Sequence, residues 1–205
     1  MKSNRSILRE VQTWVEDHVS ARRLHHIKGV AVTASRLAHR YGVSQVRVLL
    51  AAWLHDAAKE MPHKLHRHLM KGARDPWDRL ESRLPELRHP KAAAALARRK
   101  WGLKDREVIR AVQVHTLGRP GMGKLELILF VADYIEPTRY FPGIETVRRM
   151  ARRNLKDAAL LKAAGTLAYL LQSGAPIHPN VVETYNDLAY GIRSEKRKIK
   201  KGRKN

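Results

Sequence analysis

Four histidines and two aspartates stand out in the chain: His26, the adjacent pair His55 and Asp56, His89, His115 and Asp133. They occur in the order H…HD…H…H…D, and most lie in or beside strongly apolar segments with helical spacing. Imidazole nitrogens and carboxylate oxygens are the donors that hard and borderline divalent metals take. The spacing is too wide for a local finger, so only a folded bundle brings the six together. Such a set points to metal-dependent hydrolysis.

Each residue also has a plainer explanation. Asp133 sits in LELILFVADYIE, a helix apolar on nearly all faces and therefore central. An unpaired carboxylate there costs on the order of several kcal/mol. It therefore needs a metal or a basic partner, and a buried arginine is the plainer choice. His55 and Asp56 follow the apolar run VLLAAWL and pose the same question. A lone histidine on such a face is more often a satisfied core residue than a ligand. Three anomalies of this kind, with His115 ending another amphipathic helix, favour a site. Lys59 follows Asp56 by three residues and His55 by four, hence on the same helical side, where an ammonium suits a metal-held phosphate. A surface lysine in a basic chain is its alternative. The loop GRPGMG lacks the spacing of a P-loop and follows no strand. With no G-x-S-x-G, H-E-x-x-H or Cys/His pair, nucleophilic side-chain catalysis has no candidate.

The elements that must position these groups read as helices almost throughout. Amphipathic spacing predicts helices from Ser6 to Val19 and from about Leu24 to Tyr41, the second ending at Gly42 as C-cap. Ser44 is expected to cap a third helix carrying VRVLLAAWLHDAAK, stopping before Pro62. The more polar stretch between Pro62 and Pro90 predicts short helices with a loop near Asp75 and Pro76. Helices resume with KAAAALARRKW up to Gly102 and with DREVIRAVQVH, then from about Lys124 to Glu136, Ile144 to Arg153, Leu155 to Gln172 and Pro179 to Tyr190. No alternating run makes a convincing strand. The fold class is all-α.

With 205 residues the chain fits one domain: an N-terminal helix over 1–20 packing on it, the helical body over 21–193, and a basic tail over 194–205. The tail, SEKRKIKKGRKN, has no apolar periodicity and is expected to be disordered. The formal net charge is +22, from 41 Lys and Arg against 19 Asp and Glu. Seven of the tail residues are basic and one is acidic, so the tail supplies +6 and leaves +16 on the body. A surface this positive attracts polyanions. The tail reads as a solubilising end or as a nucleic-acid or ribosome contact. Cysteine is absent, which removes disulfides and thiolate ligands. MKSNRSILRE has no apolar core of a secretory signal, and no stretch is long and apolar enough to span a membrane. A cytoplasmic enzyme is the simplest fit.

The ligand order resembles that of the HD-domain superfamily of metal-dependent phosphohydrolases. LHHIKGV, WLHDAAK, VHTLGRPGM, FVADYIEPTRYFPGI and the late TYN are similar to the YqeK-type symmetrical bis(5′-nucleosyl)-tetraphosphatases of bacteria, over roughly 21–190. The resemblance implies a single HD-domain helical bundle. It makes His26, His55, Asp56, His89, His115 and Asp133 ligands of two divalent metal ions. His26 is chosen over His25 because it stands three residues before Gly29, as the H-x-x-G-V pattern requires. His89 stands in RHPKAAA, which departs from the family's H-A-P-V-G-A-like stretch while keeping the histidine. Lys59, Thr116, Gly118, Arg119, Arg139 and Phe141 fall on positions that line the nucleotide and phosphate pocket.

The resemblance further implies iron, although all-N/O ligands also accept manganese, cobalt or zinc. The substrate would be diadenosine tetraphosphate or a related dinucleoside tetraphosphate. Attack by metal-bound hydroxide would split it symmetrically into two ADP, with Asp56 and Lys59 as the catalytic pair. A homodimer is compatible with this. The alternatives are an HD-type nucleotidase or RNA phosphodiesterase, and a nucleic-acid- or ribosome-binding module whose metal site is structural.

Overall fold

Apolar residues recurring at helical spacing leave each segment one face to bury, and the chain satisfies them by stacking helix on helix. The computed structural model describes residues 2–73 and 75–202, with side chains described as far as Ser194. It contains α1 (Asn4–His18), α2 (Ala21–Tyr41), α3 (Gln45–Leu54), α4 (His63–Met70), α5 (Arg79–Arg83), a 3-10 turn (Pro85–Leu87), α6 (His89–Trp101), α7 (Arg106–Val114), α8 (Lys124–Ile135), α9 (Ile144–Arg153), α10 (Leu155–Gln172) and α11 (Pro179–Gly202). No strand occurs among the described residues, and the all-α expectation holds. None of the described helices is long and apolar enough to cross a membrane.

The bundle is built around α8, in which every residue from Leu125 to Ala132 is buried. Such a helix needs neighbours on all sides, and α2, α3, α7, α9 and α10 supply them. α1 covers the far side of α3, and α11 packs on α10. In α6 the run from Ala92 to Ala97 is buried, the small side chains suiting close packing beside α4 and α7. Gly42 and Gly102 end α2 and α6 in the left-handed region, with φ of 67° and 65°, where a residue without Cβ is favoured. Ser44 stands at the N-cap of α3, but its hydroxyl makes no capping bond.

Two helix ends differ from the sequence expectation. α3 stops at Leu54 rather than running on towards Pro62. The His55 amide still reaches back four residues to Ala51, but Ala57, Lys59 and Met61 reach back only three, to Leu54, Asp56 and Ala58. The segment carrying His55, Asp56 and Lys59 is thus a series of tight turns. At the other end, α11 extends beyond Tyr190 to Gly202. The expected disorder of 194–205 concerns residues whose side chains from 195 on, and whose backbone over 203–205, lie outside the described set.

Asp105 connects three helices by itself. Its carboxylate caps α7 through the Glu107 and Val108 amides, accepts from Arg47 Nε of α3 at 2.7 Å and from Asn4 Nδ2 of α1 at 2.8 Å. Losing a cap and a part-buried ion pair together, Asp105→Ala is expected to lower the unfolding free energy by about 2 kcal/mol. Urea titration measures this, and bound metal should be unchanged.

Candidate metal centre

Three of the four histidines are set by one local device. The His55 ring Nδ1 bonds to the Ala52 carbonyl at 2.6 Å, His89 Nδ1 to Glu86 at 2.9 Å and His115 Nδ1 to Val112 at 2.8 Å, each three residues back. These residues stand at element boundaries: His55 and His115 directly follow α3 and α7, and His89 opens α6 after the 3-10 turn. A carbonyl only accepts, so Nδ1 carries the proton and Nε2 keeps its lone pair. The fourth histidine, His26 inside α2, has its Nδ1 held instead by Glu136 Oε1 at 3.1 Å.

All four Nε2 atoms face two carboxylates. His26 and His55 lie 3.2 Å apart at Nε2, and each is 3.7 Å from Asp56 Oδ2. His89 and His115 are likewise 3.2 Å apart, with Asp56 Oδ1 at 3.1 and 3.7 Å. Asp133 Oδ1 closes the first group, at 3.2 Å from His26 and 3.9 Å from His55. Two groups of donors result, His26–His55–Asp56 and Asp56–His89–His115, joined through the two oxygens of one aspartate. Fixed tautomers, converging lone pairs and an all-N/O donor set fit divalent metal ions.

The electrostatics agree with that fit. Burial pushes the His55 imidazole down to about 3 and His89 down to about 4, so both rings are neutral at pH 7. Burial alone would raise Asp56 and Asp133, yet both are held well below the usual carboxylate range. The neighbouring histidines outweigh it for Asp56, and His26 with Lys162 for Asp133. For His26, burial lowers the affinity for a proton but Asp133, Asp56 and Glu136 raise it further.

The six residues singled out from sequence therefore meet in space. Lys59 joins them by tight turns rather than by a helical face: its Nζ lies 3.9 Å from Asp56 Oδ1 and 3.1 Å from His89 Nε2. Arg139 reaches Asp133 Oδ1 at 3.3 Å from the solvent side. Phe141 packs against Tyr134, next to Asp133 in the chain, with ring centroids 4.8 Å apart. Thr116 follows His115. Gly118, with φ of 70°, lies against Thr184, which a Cβ would meet at 2.6 Å. Arg119 is held in a two-pronged pair with Glu126, at 2.9 and 2.8 Å. Asp133 does have basic partners, Lys162 and Arg139, instead of a buried arginine.

The HD domain description matches residues 23–138, which contain all six residues. The chain belongs to the HD-domain family. It is 36% identical over 182 residues to the symmetrical bis(5′-nucleosyl)-tetraphosphatase of Bacillus subtilis (strain 168), covering 89% of this chain and 97% of that one. It is 40% identical over 174 residues to the protein of the same name from Halalkalibacterium halodurans, covering 85% and 92%. Its fold is similar to the crystal structure of a predicted HD superfamily hydrolase involved in NAD metabolism from Clostridium acetobutylicum. There the TM-score is 0.83 at 31% identity, over 88% of this chain and 96% of that one.

Three further residues support the centre of this HD domain, and the sequence reading passed over them. Arg23 Nη1 donates to Asp56 Oδ2; its only signal was a place one helical turn before His26. Lys162, 4% exposed, donates to the Phe130 carbonyl at 2.6 Å and the His115 carbonyl at 3.0 Å, and lies 3.7 Å from Asp133 Oδ2. Burial brings this lysine down to about 8. A cation inside the apolar run AALLKAAG was its signal. Glu136, with a fully buried side chain, accepts from the Thr138 amide at 2.7 Å as well as from His26. Gly29 makes that possible, because a Cβ there would lie 2.6 Å from Glu136 Oε2.

Gly29→Ala should therefore displace Glu136, free the His26 ring and lower the affinity of the metal-binding protein by about tenfold or more, read by metal titration of the folded variant. In the metal-free protein, the unfolded chain takes up protons near pH 6.5 that the folded His55 and His89 refuse until about 3 and 4. The unfolded state then binds more protons, so the stability contributed by these two rings is present above about pH 6.5 and is lost as pH falls below it. Urea midpoints of the metal-free protein are expected to drop between pH 7 and pH 5, and less steeply in His55→Asn.

Proposed function

We propose that this protein hydrolyses diadenosine tetraphosphate or a related dinucleoside tetraphosphate symmetrically, giving two ADP. The observation that carries the reading is the paired donor set: two histidine pairs share Asp56 through separate oxygens, with cationic side chains on its open sides. The relatives' names give the substrate class, and the basic body of the chain suits a polyanion.

In this reading His26, His55, Asp56, His89, His115 and Asp133 hold two divalent ions, iron by family likeness. Bound there, such ions supply an acidified water and offset charge on phosphate oxygens. Asp56 would serve both positions, since its two oxygens face different histidine pairs. Lys59, lying beside Asp56 and His89, and Arg139, beside Asp133, approach from two sides and neutralise the polyphosphate charge that remains. The bridging oxygen between the central phosphates leaves on a nucleoside diphosphate, a stable anion, so no strong general acid is required of the chain.

Separation of products from diadenosine tetraphosphate tests the reading. ADP alone is expected from metal-loaded protein. ATP plus AMP would overturn symmetrical cleavage, and turnover of mononucleotides or RNA ends without action on the tetraphosphate would transfer the protein to another activity of the fold. His55→Ala and Asp133→Ala should each lower hydrolysis by about a hundredfold or more and reduce bound metal. Lys59→Ala should keep its metal and turn over about a hundredfold more slowly. Metal loss with an unchanged rate would remove Lys59 from the phosphate role.

A further inference from the structure

Much of the positive charge of the body lies away from the metal centre. A groove of about 840 Å³ lies between α2 and α9, with Ile135 of α8, Pro137 after it and Gln45 of α3 also in its lining. Its cationic lining is Arg36, Arg40, Arg148 and Arg152, with His39, and no acidic side chain lines it. Leu37, Ile135, Pro137 and Ala151 contribute an apolar floor. Glu136 separates the two sites, since its side chain turns to His26 while Ile135 and Pro137 on either side face the groove.

The arginines are arranged as two rails. Arg36 and Arg40 stand four residues apart on α2, and Arg148 and Arg152 four apart on α9, so each pair shares one helical face about 6 Å along the axis. Arg148 is spent internally: its guanidinium donates to the carbonyls of Ile135, Glu136 and Arg139 and pairs with Glu145. Among the described residues, Arg36 and Arg152 have no acidic partner in the structure, and Arg36, Arg40 and Arg152 are all exposed. Arg36 and Arg152, without counter-charges on the two helices, and Arg40, which hydrogen-bonds the Tyr41 side chain, leave positive charge on both sides of an apolar floor that an extended anion lying between them would compensate. A mononucleotide would engage one rail; a chain of regularly spaced phosphates engages both.

We propose that the α2–α9 groove is a binding site for single-stranded RNA, separate from the metal centre, with phosphates along the arginine rails and riboses on the apolar floor. Apart from His39, no aromatic ring among the described residues lines the groove, so binding is carried mainly by the backbone, tolerant of sequence and steeply weakened by salt. This holds whether or not the tetraphosphatase reading does, because RNA binding and hydrolysis are read separately.

The test is fluorescence anisotropy of metal-loaded full-length protein with a labelled mixed-sequence RNA of about 20 nucleotides, over a salt series around 0.15 M. Arg36→Ser, Arg40→Ser and Arg152→Ser combined should weaken binding by about tenfold or more and make the salt slope shallower by about 2, with hydrolysis of diadenosine tetraphosphate unchanged. A charge-matched triple, Arg5→Ser, Arg9→Ser and Lys64→Ser, should weaken it about twofold at most. A full-length variant with Lys196, Arg197 and Lys198 changed to Gln separates the tail from the groove. Equal losses in the groove and control triples, loss in the tail variant alone, displacement of the RNA by an equal phosphate concentration of ADP, or no RNA binding by the parent protein would each overturn the proposal.

Discussion

Two carboxylates, Asp56 buried and Asp133 half-buried, sit in a core made almost wholly of helix, and the surrounding structure is arranged to compensate that charge. In an apolar interior an uncompensated carboxylate takes up a proton or unfolds the segment that carries it. Here Asp56 receives Arg23 on one oxygen and faces two pairs of imidazoles, while Asp133 is met by His26, Lys162 and Arg139. These partners come from α2, the turns after α3, the start of α6, the end of α7, the loop after α8, and α10. Most of the bundle's helices thus converge on one pair of anions.

Each of the converging imidazoles is itself held. Carbonyls at helix boundaries fix three histidine rings, so the peptide groups a helix end leaves without partners serve as anchors for the site. Lys162 adds a link in the same sense, bonding the His115 carbonyl and the Phe130 carbonyl of α8 together. Glu136 does this for His26 from outside the helix, in space that exists only because residue 29 is glycine. A second consequence is separation of charge: Asp56, Asp133 and Glu136 face the centre, whereas Arg36 and Arg152, without acidic partners among the described residues, stand on the surface between α2 and α9.

A good part of this was legible beforehand. Helical periodicity located nearly every helix, because burying one face of an amphipathic segment is a local requirement written in the spacing. Gly42 and Gly102 marked their helix ends for a reason confined to their own backbone. The end of α3 was not legible, since apolar spacing continues through Ala57 and Ala58 while the hydrogen bonding tightens after His55. Lys59 reached Asp56 all the same, because a separation of three residues is short in tight turns as it is in a helix.

By itself the sequence determined the helical class, the set of six metal-type side chains and the excess of positive charge, since each follows from residue type and local period. Only the tertiary structure decided that Asp56 is shared between two histidine pairs, that Arg119 is engaged by Glu126, and that Arg23, Lys162 and Glu136 hold the centre in place. Those facts are pairings between residues as far as 110 positions apart. Coulombic and hydrogen-bond partners are chosen by distance in space, and distance in space is what the packing of α2, α8 and α10 supplies.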